Sequence, residues 1–291
     1  MRALQLVHPS VQERLKTVSA IIERRPELRD PLEIHREILQ IQQELDSSTT
    51  KGTTTNWDNH AIVDGLWRRA QETKKPIIHF LDPTIFNVKL LSAVSRKIAN
   101  VFVEHKIDEQ GMKNFTESVE KGQTDLLKLV EATLKEDLTP IKKTAEQLGL
   151  DPSRLLHALS ALIQPCLEEI ARQIDSSQLD RWWQASCPVC GRTPIVARFR
   201  QRKRYLDCSF CGAEYLSDSV LCVHCGNRDP YTLKYMVVED QPMFQVDFCT
   251  KCKHYLKVID EAKLKEDMPR GFEDMLTLDF DLVAKKANLE R

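Results

Sequence analysis

The chain has 291 residues, 42% hydrophobic and 29% charged, the balance of a soluble protein that can bury a sizeable core. Its net charge of −1 excludes a global field drawing it to nucleic acid or to a membrane surface. Length favours two domains. No stretch approaches the ~20 apolar residues of a membrane span, and residues 1–9 lack an apolar run with a small-residue cleavage site, so a cytoplasmic protein is expected.

Residues 1–180 read as an all-helical domain. In 31–47, Ile34, Ile38, Ile41 and Leu45 recur at spacings of three and four, one apolar stripe. The polar, β-branched run at 47–56 predicts a loop, and residues 57–73 resume helical periodicity through Ile62, Leu66 and Ala70. Residues 77–87, with Pro83, read as an irregular connection, followed by helices over 90–105, 115–135 and 139–148. Gly149-Leu150-Asp151-Pro152 joins a helix stop to a helix start: glycine after one helix, aspartate as N-cap, proline at the first position. The next helix buries Leu155, Leu159, Leu162, Cys166 and Ile170, with a kink before Pro165. This half has no phosphate loop, no His-x-x-x-His pair and no Gly-x-Ser-x-Gly. His35, His60, His79, His105 and His157 are expected at the surface or in satisfied core positions, and Cys166 as a small hydrophobe.

Eight of the nine cysteines fall between Cys187 and Cys252, which marks a domain boundary. They form four Cys-x-x-Cys pairs: Cys187 with Cys190, Cys208 with Cys211, Cys222 with Cys225, and Cys249 with Cys252. In a reducing compartment such pairs read as metal ligands, since two intervening residues let one turn aim both sulfurs at a point and a tetrahedral ion needs two turns. Gly191, Gly212 and Gly226 each follow a second cysteine, where the chain must reverse at positive φ, whereas Lys253 holds that slot in the last pair and predicts strain or another shape. The longer gaps carry strand-like runs around polar turns, 195–206 in the first and 231–248 in the second. Cys187, Cys190, Cys208 and Cys211 are therefore assigned to one site, and Cys222, Cys225, Cys249 and Cys252 to the other. Cys-Pro-Val-Cys-Gly and Cys-Val-His-Cys-Gly read as a duplicated ribbon. Zinc suits such sites, and so does the iron of rubredoxin-type turns. His224 and His254 add nothing to a completed four-thiol shell.

The run from Arg198 to Arg204 has two readings, a solvated hairpin tip or a contact for nucleic acid. Trp182 and Trp183 are expected to anchor the helical half to the ribbons.

The order of these motifs resembles the formate dehydrogenase accessory proteins, the FdhE family. Trp183 before Cys-Pro-Val-Cys-Gly, Arg204-Tyr205-Leu206-Asp207-Cys208, Val220-Leu221-Cys222 and Cys252-Lys253-His254-Tyr255-Leu256-Lys257 carry the likeness, and the acidic stretch 273–279 extends it. It covers about residues 183–283 by motif and the helical half by architecture; Lys253 departs from the common turn glycine. The resemblance implies a cytoplasmic maturation factor that binds catalytic subunits of molybdenum- or tungsten-containing formate dehydrogenases, with rubredoxin-like sites associated with iron. The eight cysteines carry over one by one; no partner-binding residue does.

The expected fold is α+β: an all-α domain at 1–180, tandem rubredoxin-like or zinc-ribbon units at 181–218 and 219–260, and a C-terminal helical tail at 261–291. Two metal ions, iron or zinc, fill the four-cysteine sites, and sites closed by four protein ligands argue for a binding protein, not an enzyme. A nucleic-acid-binding zinc ribbon and a rubredoxin-like redox protein are the alternatives.

Overall fold

The computed structural model describes residues 9–49, 60–82, 86–237, 240–266 and 268–291. From position 50 the loop expected at 47–56 lies outside them, as do Trp57, Pro83 and part of the turn at 239–242.

Nine helices come first among the described residues: α1 (Val11–Arg24), α2 (Arg29–Thr49), α3 (His60–Thr73), α4 (Val88–Glu104), α5 (Glu109–Glu120), α6 (Leu126–Leu134), α7 (Leu138–Leu148), α8 (Pro152–Gln173) and the single turn α9 (Ser176–Leu179). Their starts are written locally. Ser10 and Glu13 form a reciprocal capping box on α1, and Asn87, Asp125 and Asp137 each accept a backbone N–H at the heads of α4, α6 and α7. The stop-start at residues 149–152 stands as expected: Gly149 ends α7 at φ 64°, and Asp151 Oδ1 accepts from Ser153 N at 2.7 Å ahead of Pro152. The helix expected over 115–135 is instead two, α5 and α6. Gly122 at φ 67° ends the first, and Asp125 caps the second.

Six strands follow: β1 (Val196–Arg200), β2 (Lys203–Asp207), β3 (Glu214–Ser217), β4 (Leu233–Val237), β5 (Phe244–Cys249) and β6 (Tyr255–Asp260), then α10 (Glu273–Leu276) and α11 (Leu278–Lys286). Each ribbon repeats one plan, a cysteine pair, two antiparallel strands, a second cysteine pair and a third strand. The two ribbons then merge. β1 runs parallel to β6, with Val196 opposite Lys257 and Phe199 opposite Asp260, so the order is β3-β2-β1-β6-β5-β4 in one sheet.

The chain divides into two compact units. One gathers Val63–Ile77 with Glu168–Arg291, and the other gathers Pro9–Ile62 with Ile78–Leu167. The helical unit packs α1 on α2, α4 on α5, and α6 on α7, and Gln42 of α2 donates to Ala161 O of α8 at 2.8 Å. In the ribbon-bearing unit Trp182 is buried against Trp67 of α3, centroids 6.2 Å apart, and its indole N–H reaches Ser186 O at 2.7 Å. Trp183 does not share this role: it stands 54% exposed at φ 54°.

One face of the sheet carries α10 and α11. Phe280 and Ala284 pack on Val246 and Tyr255, while Lys257 binds Asp274 and Asp281. The sheet's edges differ. On β3, Asp180 takes the backbone N–H of Leu216 at 3.1 Å, whereas among the described residues no such cap meets β4.

Candidate metal centres

All four cysteine turns have one backbone geometry. The first cysteine's N–H donates to the carbonyl five residues on: Cys187 to Arg192, Cys208 to Ala213, Cys222 to Asn227 and Cys249 to His254, at 2.8–3.0 Å. The residue after the second cysteine donates back to the first cysteine's carbonyl, also within 2.8–3.0 Å, and has positive φ in every turn. Gly191, Gly212 and Gly226 lie at 78°, 73° and 70°, and Lys253 follows them at 64°. The fourth turn therefore keeps the common shape and bears the strain, about 1 kcal/mol for a side chain in the left-handed region.

These turns bring the eight cysteines into two groups, each with its four sulfurs within 4.8 Å of one another and each able to hold a metal ion. The pairing is the one expected from the gaps. In the first, Cys187 and Cys211 sulfurs stand 3.4 Å apart and Cys190 and Cys208 sulfurs 3.4 Å apart, all four buried. In the second, Cys222–Cys252 and Cys225–Cys249 are 3.6 and 3.9 Å apart, with Cys225 exposed. A tetrahedral ion with bonds of about 2.3 Å holds its thiolates roughly 3.8 Å apart, so the donor set fits.

The thiols' own electrostatics call for a cation. Burial pushes Cys190 and Cys211 well up, and hydrogen bonds from the neighbouring thiols hold Cys208 well down. In the second group burial pushes Cys222 up and Cys252 up to about 12. Cys249 is held at about 7 against burial by the N–H groups of Cys252 and Lys251 and by the Asn227 amide, 3.5 Å from its sulfur. Four thiolates gathered within 4.8 Å of one another repel, so a fully ionised group requires a positive ion. Asn227 belongs to no motif of the sequence; its signal is only a polar amide directly after the turn glycine. His224 and His254 stay outside the thiol groups, bonded to Tyr255 O at 3.2 Å and Cys252 O at 2.8 Å, with their rings 4.5 Å apart.

Of the run from Arg198 to Arg204, Gln201, Arg202 and Lys203 form a solvated tip, whereas Arg198 and Arg204 are buried and Arg200 is half-buried. The turn itself is Gln201-Arg202, both at positive φ, the form that suits a two-residue hairpin. Arg198, 2% exposed, binds Asp207 and Glu261 at 3.2 Å each, and also Glu273. Burial opposes its charge, but the carboxylates of Glu273 and Asp207 hold it ionised. Arg200 meets Glu214 at 2.5 Å and lies over the Tyr205 ring. Arg204, 3% exposed, donates to Ser217 Oγ, Asp218 O and Leu221 O, tying the first ribbon to the segment that enters Cys222.

No family model matches the chain. It is 31% identical over 157 residues to the protein FdhE homolog of Aquifex aeolicus (strain VF5), a stretch covering 52% of this chain and 54% of that relative. The match thus spans about half the relative's length. The crystal structure of the FdhE protein from Pseudomonas aeruginosa superimposes with a TM-score of 0.58 at 18% identity, covering 100% of this chain and 95% of that one. The resemblance to the FdhE family holds. The helical region, the sheet with two four-cysteine groups and the terminal helices follow the FdhE fold. Among the described residues no helix is long and apolar enough to cross a membrane.

Proposed function

We propose that this chain is a cytoplasmic accessory protein that binds the catalytic subunit of a molybdenum- or tungsten-containing formate dehydrogenase during its maturation. Iron or zinc in both four-cysteine centres is part of the proposal, with Cys187, Cys190, Cys208, Cys211, Cys222, Cys225, Cys249 and Cys252 as ligands. The observation that carries it is the pair of closed four-thiol groups in a chain whose sequence and fold both resemble FdhE. Four protein ligands leave no coordination position for water or substrate, which supports binding over catalysis. Each ion cross-links two distant turns, and this chain's own residues do the rest: backbone N–H groups and Asn227 stabilise thiolates, and Arg204 fixes the approach to Cys222.

Anaerobic affinity capture of the tagged protein from its native cytoplasm tests this. A formate dehydrogenase catalytic subunit is expected in the eluate and is expected to be lost with Cys222→Ser/Cys225→Ser. Nucleic acid without an oxidoreductase would overturn the reading. Internal pairing of Arg198, Arg200 and Arg204 weighs against that outcome. The exposed Cys225 favours one second reading, electron transfer at the second centre. A visible band that bleaches reversibly on reduction would support it, and a colourless metal-loaded protein would remove it.

A further inference from the structure

Beside the second cysteine group lies a cleft of about 270 Å³, lined by residues of β1, β2, β4, β5 and β6 together with Cys222 and Cys249. Leu221, Leu233, Phe248 and Leu256 give it apolar walls, and Arg204 and Asp247 form an ion pair on its lining, which also carries Lys234, Gln245, His224 and His254. Arg204 spends only one nitrogen on its fixed bonds: Nη2 takes all three oxygen partners, Nε has none among the described residues, and Nη1 stands 3.7 Å from Asp247. Asp247 in turn accepts from Gln245 at 2.7 Å through its other oxygen. Nε is sealed from solvent, so the donors left on the Arg204 side of the cleft are those of Nη1, which faces the Asp247 carboxylate beyond hydrogen-bond length, with no net charge from the pair. The neighbouring thiolate centre disfavours an anion there, and an uncharged group with both an acceptor and a donor, an amide, satisfies both sides.

A separate observation concerns β4. Thr250 N donates to Thr232 O, so the antiparallel alternation turns the N–H and C=O of Leu233, Tyr235 and Val237 away from β5, out of the sheet. Tyr231, Tyr235 and Val237 are 85%, 67% and 47% exposed. Proteins blunt such edges with charge, proline or a covering element; β4 carries one exposed charge, Lys234, and among the described residues no cover of the kind that Asp180 gives β3. Leu233 and Tyr235 belong both to this edge and to the cleft.

We infer that β4 and the adjoining cleft form a docking site for an extended segment of another polypeptide, which adds a seventh strand at β4 and lays an amide-tipped side chain against the Arg204–Asp247 pair. Edge backbone groups recognise the peptide backbone, and the cleft selects the side chain. The inference rests on the client-binding reading above and names the part of the client that is held.

The test uses the metal-loaded full chain and a blocked peptide, acetyl-Thr-Val-Thr-Gln-Val-Thr-Val-amide, followed by amide NMR. Saturable shifts are expected at Leu233, Tyr235 and Val237. Tyr235→Pro, with metal content and melting midpoint checked, is expected to weaken binding about tenfold or more, the size of one or two lost hydrogen bonds. Backbone N-methylation of the peptide needs no variant and is expected to do the same, and replacing its glutamine by glutamate or leucine to weaken it. Absence of binding, equal binding of the N-methylated peptide, preference for the glutamate peptide, or β4 found paired with a second copy of this chain would each overturn the proposal. Tyr235→Pro that loses the peptide but still captures the client removes only the assignment of the client to this edge, leaving the client reading in place.

Discussion

Lys253 shows how far a single residue can depart from a motif without changing its geometry. Its N–H still donates to Cys249 O at 2.8 Å, at a φ of 64° that the other turns give to glycine. Lys253→Gly is therefore expected to raise unfolding stability by up to about 1 kcal/mol in guanidinium titrations of the metal-loaded protein. A loss of stability would mean that the lysine side chain makes contacts outweighing its strain. Burial likewise separates the adjacent tryptophans. Trp182→Ala removes a buried ring packed at a tilt against Trp67 and is expected to cost about 3–5 kcal/mol, while Trp183→Ala stays within about 1 kcal/mol. The grouping of the cysteines is legible in the chain because each turn is contained in five consecutive residues and the gaps between them carry the hairpins. The partners of Arg198 are not, because Glu261 and Glu273 lie 63 and 75 positions away and only the fold brings them to its guanidinium.

At the scale of elements, the same distinction between local and distant signals decides what could be foreseen. Helix caps at residues 149–152 and the two central hairpins are encoded by neighbours. The parallel pairing of β1 with β6 is not, since Val196 and Lys257 belong to different ribbons and lie far apart in the chain. Gly122 did carry a local signal for the break between α5 and α6, but the apolar periodicity continuing on either side masked it. Ionic contacts hold the terminal helices to the sheet, and Arg198 is central among them. Arg198→Met removes the cation nearest Asp207 and Glu273, while Arg270 still faces Asp207 and Glu261, and is expected to cost about 3 kcal/mol, read as a lowered denaturant midpoint. Asp274, paired with Lys257 and Arg291, has its carboxyl held down against burial by these cations. A depressed carboxyl contributes stability above its unfolded pKa of about 3.9, and that contribution is lost as pH falls below it. Asp274→Asn should therefore destabilise the protein at neutral pH and flatten its acid unfolding below pH ~4. An unchanged acid limb would contradict this assignment.

For the whole molecule, the two thiol groups differ in access. The first is sealed, and the second exposes Cys225 and borders the cleft. Chelator is expected to remove metal in two phases, the second centre first, with strand signal in circular dichroism lost as the sites empty, because ribbons of this size lack a core sufficient without staples. A single phase, or strand signal unchanged in the stripped protein, would contradict the staple. Burial also raises Cys190, Cys211 and Cys222, so metal must displace protons and apparent affinity should fall as pH falls. The measurement that bears most directly on the account is elemental analysis of the anaerobically purified chain. Two metal ions per chain are predicted, dropping to one in Cys222→Ser/Cys225→Ser and separately in Cys187→Ser/Cys190→Ser. A metal-free wild-type chain with its cysteines oxidised to disulfides, or a full complement surviving either double substitution, would contradict it.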